Sequence, residues 1–288
     1  MKSRTLLNLI LVLALLALAS YAYWRPRTPD TRPTIQLSQL KREDVDRITV
    51  ERQGSPTITL SRQGKDWQLT APLTTLADPY QVDRLADIAA MTASQKLVGT
   101  DFPQYGLDPA PIKVTLNSEA FSFGKINDIT NEQYLGYGGG IYLVPPFYGY
   151  GIPAGANTLL SRKLLAEGEV PVAFEFGSHR IVRNESGVWA LDGKVPARLA
   201  TPPSQDDFNR WADEWRNTSA LNAEPATRAA AKSQSLTLRF SGGKSTTLSV
   251  LPSANEFQVF RADRKIQYRF GREVGQRLLD PSVVAEKK

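Results

Sequence analysis

The stretch Trp67-Gln68-Leu69-Thr70-Ala71-Pro72, leading into Asp78-Pro79-Tyr80-Gln81-Val82-Asp83-Arg84-Leu85-Ala86-Asp87, decides how this chain is read, because it returns between Trp189 and Ala220. Arg84 corresponds to Arg210, Ala86 to Ala212, Asp87 to Asp213 and Thr92 to Thr218, each pair 126 positions apart. A constant offset of this kind implies a tandem duplication. Within the first copy, Gly64-Lys65-Asp66 turns a strand containing Ile58 and Leu60 into Trp67–Leu69, and Ala71-Pro72 ends that strand. Asp78 is a good N-cap, Pro79 suits the first helical position and Gln81 stands third, so a helix starts here. Its residues Val82, Leu85, Ala86 and Ala89 fall at i, i+3, i+4 and i+7, a single apolar stripe.

Working outward, Ile48 and Val50 alternate with polar neighbours, as do Ile112, Val114 and Leu116 after the turn-rich Tyr105-Gly106-Leu107-Asp108-Pro109. Ala120–Phe123 makes a hairpin partner. A second hairpin joins Gln133–Tyr137 to Ile141–Val144 through Gly138-Gly139-Gly140, and a short helix is expected near Asn157–Ala166. The second copy replays this order with Val172, Phe174 and Phe176, then Arg180–Arg183, Trp189–Leu191, and a helix capped by Ser204 with Asp207 three residues on. Four strands (236–240, 246–250, 257–260, 266–270) and a closing helix from Glu273 to Leu279 complete it. The pattern predicts an α+β fold of antiparallel sheets with helices packed on one face. The segments would be an anchor (1–25), a proline-rich tether (26–34) and two α+β repeats (35–168 and 169–288). Phe208, Trp211, Ala212 and Trp215 make the second stripe heavier than the first, which suggests that the second copy packs something further, with the first copy as the candidate.

From Leu6 to Trp24 only Asn8 and Ser20 interrupt an apolar run that as a helix would be about 28 Å long, close to the hydrocarbon thickness of a bilayer. Lys2 and Arg4 precede it, and Tyr21, Tyr23 and Trp24 supply rings suited to a headgroup layer. Two readings fit, a membrane anchor or a signal peptide cleaved at Ala17-Leu18-Ala19, and the aromatic end favours the anchor. Arg25, Arg27 and Arg32 blur the charge asymmetry, but a short basic tail before one apolar segment places the bulk of the chain outside the cytoplasm. Expected localisation is a bacterial inner membrane, single-pass, with the body in the periplasm. Prolines 26, 29 and 33 make the connecting segment a stiff tether.

The chain has no cysteine, which removes disulfides, thiolate metal sites and cysteine nucleophiles together. His179 is the single histidine and reads as an exposed turn residue; any serine triad or histidine metal site would have to pass through it, and no second ligand or nucleophile is signposted. Gly242-Gly243-Lys244-Ser245 lacks the leading glycine of a phosphate loop and precedes a strand, so it is a hairpin turn. Asp206 and Asp207 are explained by a helix N-terminus, while Asp213 with Arg216, and Arg210 with Glu214, stand at helical ion-pair spacing. Asp87 is expected on a solvent face. Catalytic, cofactor and metal-ligating residues are therefore expected to be none.

The aromatic and glycine-rich tract from Tyr134 to Tyr150 has no counterpart in the second copy, and Tyr137, Tyr142, Phe147, Tyr148 and Tyr150 form the candidate partner surface. Such rings stack on sugars and anchor protein interfaces. Residues 224–288 carry 12 Lys and Arg against 6 Asp and Glu, which accounts for the whole net charge of +6. That excess reads as a solvated basic face. An extracytoplasmic address and the missing recognition motif speak against nucleic acid as a partner.

The N-terminal apolar run, the Trp67–Pro72 unit, Ala77-Asp78 opening a helix, Tyr105–Pro109 and Phe123-Gly124 together resemble a bacterial family known as domain of unknown function four-three-four-zero. The resemblance covers most of residues 1–166 and, more faintly, the second copy, which keeps the Trp189 unit but has only Glu224-Pro225 where the first has Leu107-Asp108-Pro109. It implies a membrane-anchored protein associated with transporter or gliding-motility components, and it brings no catalytic residue. The functional expectation is a non-enzymatic scaffold or adaptor of a membrane complex, with an ABC-type transporter as one candidate. The alternative is a periplasmic polysaccharide- or ligand-binding module built on the aromatic tract.

Overall fold

A computed structural model describes residues 2–24 and 34–285. Apart from Thr34 the predicted tether lies outside the described residues. Helix α1 runs Lys2–Trp24, and the body that begins at Ile35 is a separate compact unit. In α1 the described side chains are those of residues 8 and 10–21. Among the described residues no helix is long and apolar enough to cross a membrane. The predicted anchor residues Lys2, Arg4, Leu6, Leu7, Leu9, Ala22, Tyr23 and Trp24 fall outside that set of side chains.

The first part of the body contains β1 (Ile35–Gln36), β2 (Arg47–Arg52), β3 (Ile58–Gln63), β4 (Asp66–Ala71), β5 (Thr75–Leu76), α2 (Pro79–Ala86), β6 (Thr92–Ala93), β7 (Gln95–Leu97), β8 (Ile112–Leu116), β9 (Glu119–Ile126), β10 (Gln133–Tyr137), β11 (Gly140–Val144) and the single turn α3 (Phe147–Tyr150). The second contains β12 (Pro171–Phe176), β13 (His179–Arg183), β14 (Trp189–Gly193), α4 (Gln205–Asn217), β15 (Asn222–Pro225), β16 (Gln234–Phe240), β17 (Ser245–Pro252), β18 (Glu256–Arg261), β19 (Ile266–Gly271), α5 (Arg272–Leu279) and α6 (Ser282–Ala285).

Beside a two-stranded sheet of β1 and β6, two large sheets result, and they share one topology. The first is ordered β5-β4-β3-β2-β8-β9-β10-β11-β7 and the second β14-β13-β12-β16-β17-β18-β19-β15, so that each strand from β4 to β7 has its counterpart in place. All pairings between these strands are antiparallel. The fold is therefore α+β with antiparallel sheets.

Period-two alternation puts Ile48, Val50, Leu60, Leu69, Val114, Phe121 and Phe123 on one buried face of the first sheet. Helix α2 covers that face with Val82, Leu85 and Ala86, and Ala89 follows in a 3-10 turn rather than in a continuous α-helix. Asp78 caps α2 by accepting from the Tyr80 and Gln81 amides at 2.9 and 3.4 Å. Ser204 and Asp207 form a full reciprocal capping box on α4. Arg210 pairs with Asp207 instead of Glu214, which lies 3.5 Å from Arg277 of α5; Arg216 pairs with Asp213 at 3.1 Å as spaced. Asp87, half-exposed, is held at 3.0 Å by Arg42.

Trp211 and Trp215 pack at a tilt against Phe174 of β12, with ring centroids at 4.2 and 5.5 Å, and both indole N–H groups donate to the Leu278 carbonyl, at 3.1 and 3.0 Å. The extra apolar weight of α4 is thus taken up by Phe174 and α5 of its own half. Helix α5 comes close enough to β18 that a Cβ on Gly275 would lie 2.2 Å from Phe257 Cβ. Gly275→Ala should then lower stability by about 1–3 kcal/mol through overpacking, read as a fall in melting temperature with the circular dichroism spectrum retained.

The connector between the sheets is almost wholly irregular. The expected helix near Asn157–Ala166 shrinks to one 3-10 turn, Ala156–Leu159, because the residues after it are used for bridging. Leu160 pairs with Ala77 in the first half and Lys163 with Ser219 in the second. Apolar residues of both halves and of this connector belong to one hydrophobic cluster.

Candidate functional site

Gly138 and Gly139, with φ of +56° and +75°, make the two-residue turn between β10 and β11, a conformation that costs other residues strain. The hairpin does not present its rings as one platform. Tyr137 stacks on Phe121 with centroids 4.8 Å apart, and its hydroxyl donates to Glu119 Oε2 at 2.7 Å. Burial, and then that hydrogen bond, raise its pKa above the ordinary tyrosine value. Tyr142 packs against the core with Lys96 Nζ 5.6 Å from its ring centroid. Tyr148 is half-buried, and burial followed by the Asp87 charge raises its pKa. Only Phe147 (61% exposed) and Tyr150 (75%) offer open ring surface. The sheet's alternation and the α3 turn separate the five residues into inward and outward sets, which the spacing of aromatics does not show.

Beneath α3, Gln133 is buried and donates from Nε2 to the Gly124 carbonyl at 3.0 Å. A Cβ on Gly149 would lie only 2.0 Å from its Oε1, so the turn rests directly on this amide. Gly124 also receives the Tyr105–Pro109 loop: Lys125 N–H donates to Tyr105 O at 3.0 Å, and a Cβ at Gly124 would stand 2.4 Å from that oxygen. The two short motifs Tyr105-Gly106-Leu107 and Phe123-Gly124 are therefore two sides of one contact. Gly124→Ala should displace the loop and cost about 1–3 kcal/mol, measured by chemical denaturation.

His179 is not the exposed turn residue expected from sequence; it is 7% exposed. It opens β13 opposite Phe176, whose ring it parallels at 4.8 Å between centroids, and it shares a face with buried Ile181. The turn is shorter than expected, confined to Gly177-Ser178, so strand alternation carries the imidazole inward. A groove of about 660 Å³ beside it is edged by the ion pairs Arg180–Asp192 and Arg239–Glu175, with contacts of 2.7 and 2.6 Å.

The densest charged cluster lies elsewhere and has no signature in the sequence. Arg261, 1% exposed, occupies a core position opposite Leu248 and Ile266. Its guanidinium donates to Glu169 at 2.8 and 2.9 Å, to Asp263 at 3.1 and 2.6 Å, and to the Leu164 carbonyl at 2.7 Å. Arg264 adds a contact of 2.8 Å to Glu169. Burial alone would raise the carboxylate pKa values of Glu169 and Asp263, but the Arg261 hydrogen bonds and the charges of Arg261 and Arg264 hold both below the ordinary range. This knot fastens the connector to the β18–β19 turn. The basic excess of the second half is in part internal, since Arg239, Arg261, Arg264, Arg269 and Arg277 all have carboxylate partners. Among the described residues no group of three or more His, Asp or Glu is arranged to hold a metal ion.

No curated protein and no solved structure matches this chain. A family model does match, from Trp67 in β4 to Asn209 in α4, so the matched stretch starts on one Trp unit and runs past its repeat at Trp189. Through this stretch, which includes the glycine contact and the aromatic hairpin, the chain belongs to the family described as Domain of unknown function (DUF4340).

Proposed function

We propose that this protein is a non-enzymatic, single-pass envelope protein whose compact body serves as a scaffold or adaptor for a membrane complex. One observation carries the reading. In α1, Ile10, Leu11, Val12, Leu13, Leu15, Leu16 and Leu18 are each more than half exposed. At 100° per residue these positions cover every side of the helix, and a helix that is apolar all round needs apolar surroundings. The sequence continues that character from Leu6 to Trp24, long enough to traverse a bilayer. A duplicated, strand-rich body suits holding partners in place, and an ABC-type transporter is one candidate partner. A bacterial inner membrane with the body in the periplasm is the location this reading requires.

The test is extraction of tagged full-length protein from its native membrane in mild detergent. A stoichiometric membrane-protein partner is the expected result. Solubility of the protein in carbonate without detergent would overturn the anchoring, and recovery of the protein alone would overturn the adaptor role. The second reading, glycan binding by the aromatic tract, draws on the exposure of Phe147 and Tyr150. It requires that Phe147→Ala/Tyr150→Ala abolish polysaccharide retention without lowering the melting temperature.

A further inference from the structure

We infer that the end of the first sheet carrying Ile129, Phe147 and Tyr150 rests in the headgroup layer of a lipid bilayer; the inference builds on the anchoring proposed above. The register places these residues together. Gln133 is opposite both Ile126 and Val144, so the connection 127–132 and the segment from Pro145 onward leave adjoining strands at the same end. At that end Ile129 is 94% exposed, Tyr150 75% and Phe147 61%. Phe147 and Tyr150 stand three apart in one helical turn, which brings their rings to one side.

The occupant is identified by where the body's chain begins. Ile35 pairs with Ala93, and the next residue, Ser94, donates its N–H to Leu143 O at 3.0 Å, one residue before Val144. The chain therefore enters the body beside the apolar end. Ten residues separate Trp24 from Ile35, three of them proline, and at full extension they reach about 35 Å. A tether this short keeps the apolar end near the bilayer. One aliphatic and two aromatic side chains, one bearing a hydroxyl, match the composition that membrane interfaces favour. Exposed Lys125 and Asp128 and half-buried Glu132 flank Ile129, while Arg52 and Arg84 lie against Ile152 and Gly151, so charges of both signs border an attachment led by apolar insertion.

The absence of cysteine makes site-specific labelling direct. Ile129→Cys, Phe147→Cys and Tyr150→Cys, with Ser118→Cys in the exposed turn between β8 and β9 at the opposite end as control, would each carry an environment-sensitive fluorophore in the full chain. The protein is reconstituted in vesicles of phosphatidylethanolamine and phosphatidylglycerol with doxyl-labelled lipid. The expected result is blue-shifted emission and lipid quenching at 129, 147 and 150, stronger with the doxyl group near the headgroup than at the chain end, and neither effect at 118. Labels at 129, 147 and 150 that stay water-like and unquenched in chains that have incorporated would overturn the inference, as would equal quenching at 118. Because the loops would then be free for a protein or glycan, that result would leave anchoring intact. A chain that fails to incorporate at all would overturn both.

Discussion

Arg261→Leu should cost about 3 kcal/mol of folding stability, because it removes the buried guanidinium that Glu169 and Asp263 share and leaves Arg264 as their remaining cation. Urea denaturation of wild type and variant at neutral pH would measure it. Leucine fills the site among Leu248 and Ile266 well enough, so the loss is electrostatic and should depend on pH. The sign follows from the lowered carboxylate pKa values. In the wild type, Glu169 and Asp263 contribute stability that is fully present above their unfolded values of about 4.3 and 3.9 and is lost as pH falls through the lower folded values. In the variant only Arg264 still opposes burial, and both groups protonate more easily. The gap between variant and wild type should therefore be widest at neutral pH and narrow below about pH 4. A gap that stays constant across this window would show that Arg261 acts through packing. Adding Glu169→Gln and Asp263→Asn to Arg261→Leu should recover part of the loss at neutral pH, since neutral amides tolerate the site without the arginine.

Trp211→Ala should have an effect of similar size, about 3–5 kcal/mol, through the cavity it opens against Phe174 and the side of α5. Trp211→Phe separates the ring from its hydrogen bond. A carbonyl can accept two donors, and Leu278 O keeps Trp215 when Trp211 loses its N–H. The single Phe variant should thus lose far less than the Ala variant. The double variant Trp211→Phe/Trp215→Phe leaves the Leu278 carbonyl, near the end of α5, without an indole donor. It should cost more than the two single changes added together. Strict additivity, measured by thermal denaturation, would mean that the shared carbonyl contributes nothing.

Both predictions concern places where the two copies have diverged within one topology. The first helix fills its stripe with Val82, Leu85 and Ala86, whereas the second uses Phe208, Trp211 and Trp215 and gains a hydrogen-bonded seam with α5. The connector, which belongs to neither copy, ties its Leu160 to Ala77 and its Lys163 to Ser219, with Arg261 fixing its far end. The two large sheets share one strand order, and apolar residues of both and of the connector make one cluster.

Much of this fold is legible in local chemistry alone. Asp78 and Ser204 cap their helices as their spacing predicts, since capping depends on residues two or three positions apart. The alternation of Ile48 with Val50, and of Ile112, Val114 and Leu116, sets strand and buried face because a strand turns its side chains by a fixed period of two. Gly138-Gly139 declare their hairpin through the positive φ that the turn demands. The repeat, visible in one constant offset, anticipates the order of strands that recurs in both sheets.

What the sequence by itself determined is this periodic and near-neighbour information: an α+β chain with antiparallel pairs, and an apolar N-terminal run. Only the tertiary structure decided which of five similar rings turn outward, that His179 is buried against Phe176, and that Arg261 gathers Glu169 and Asp263. The reason is physical. Glu169 meets Arg261 across 92 residues of chain. Such a contact depends on where separate elements come to rest, and no local spacing encodes that.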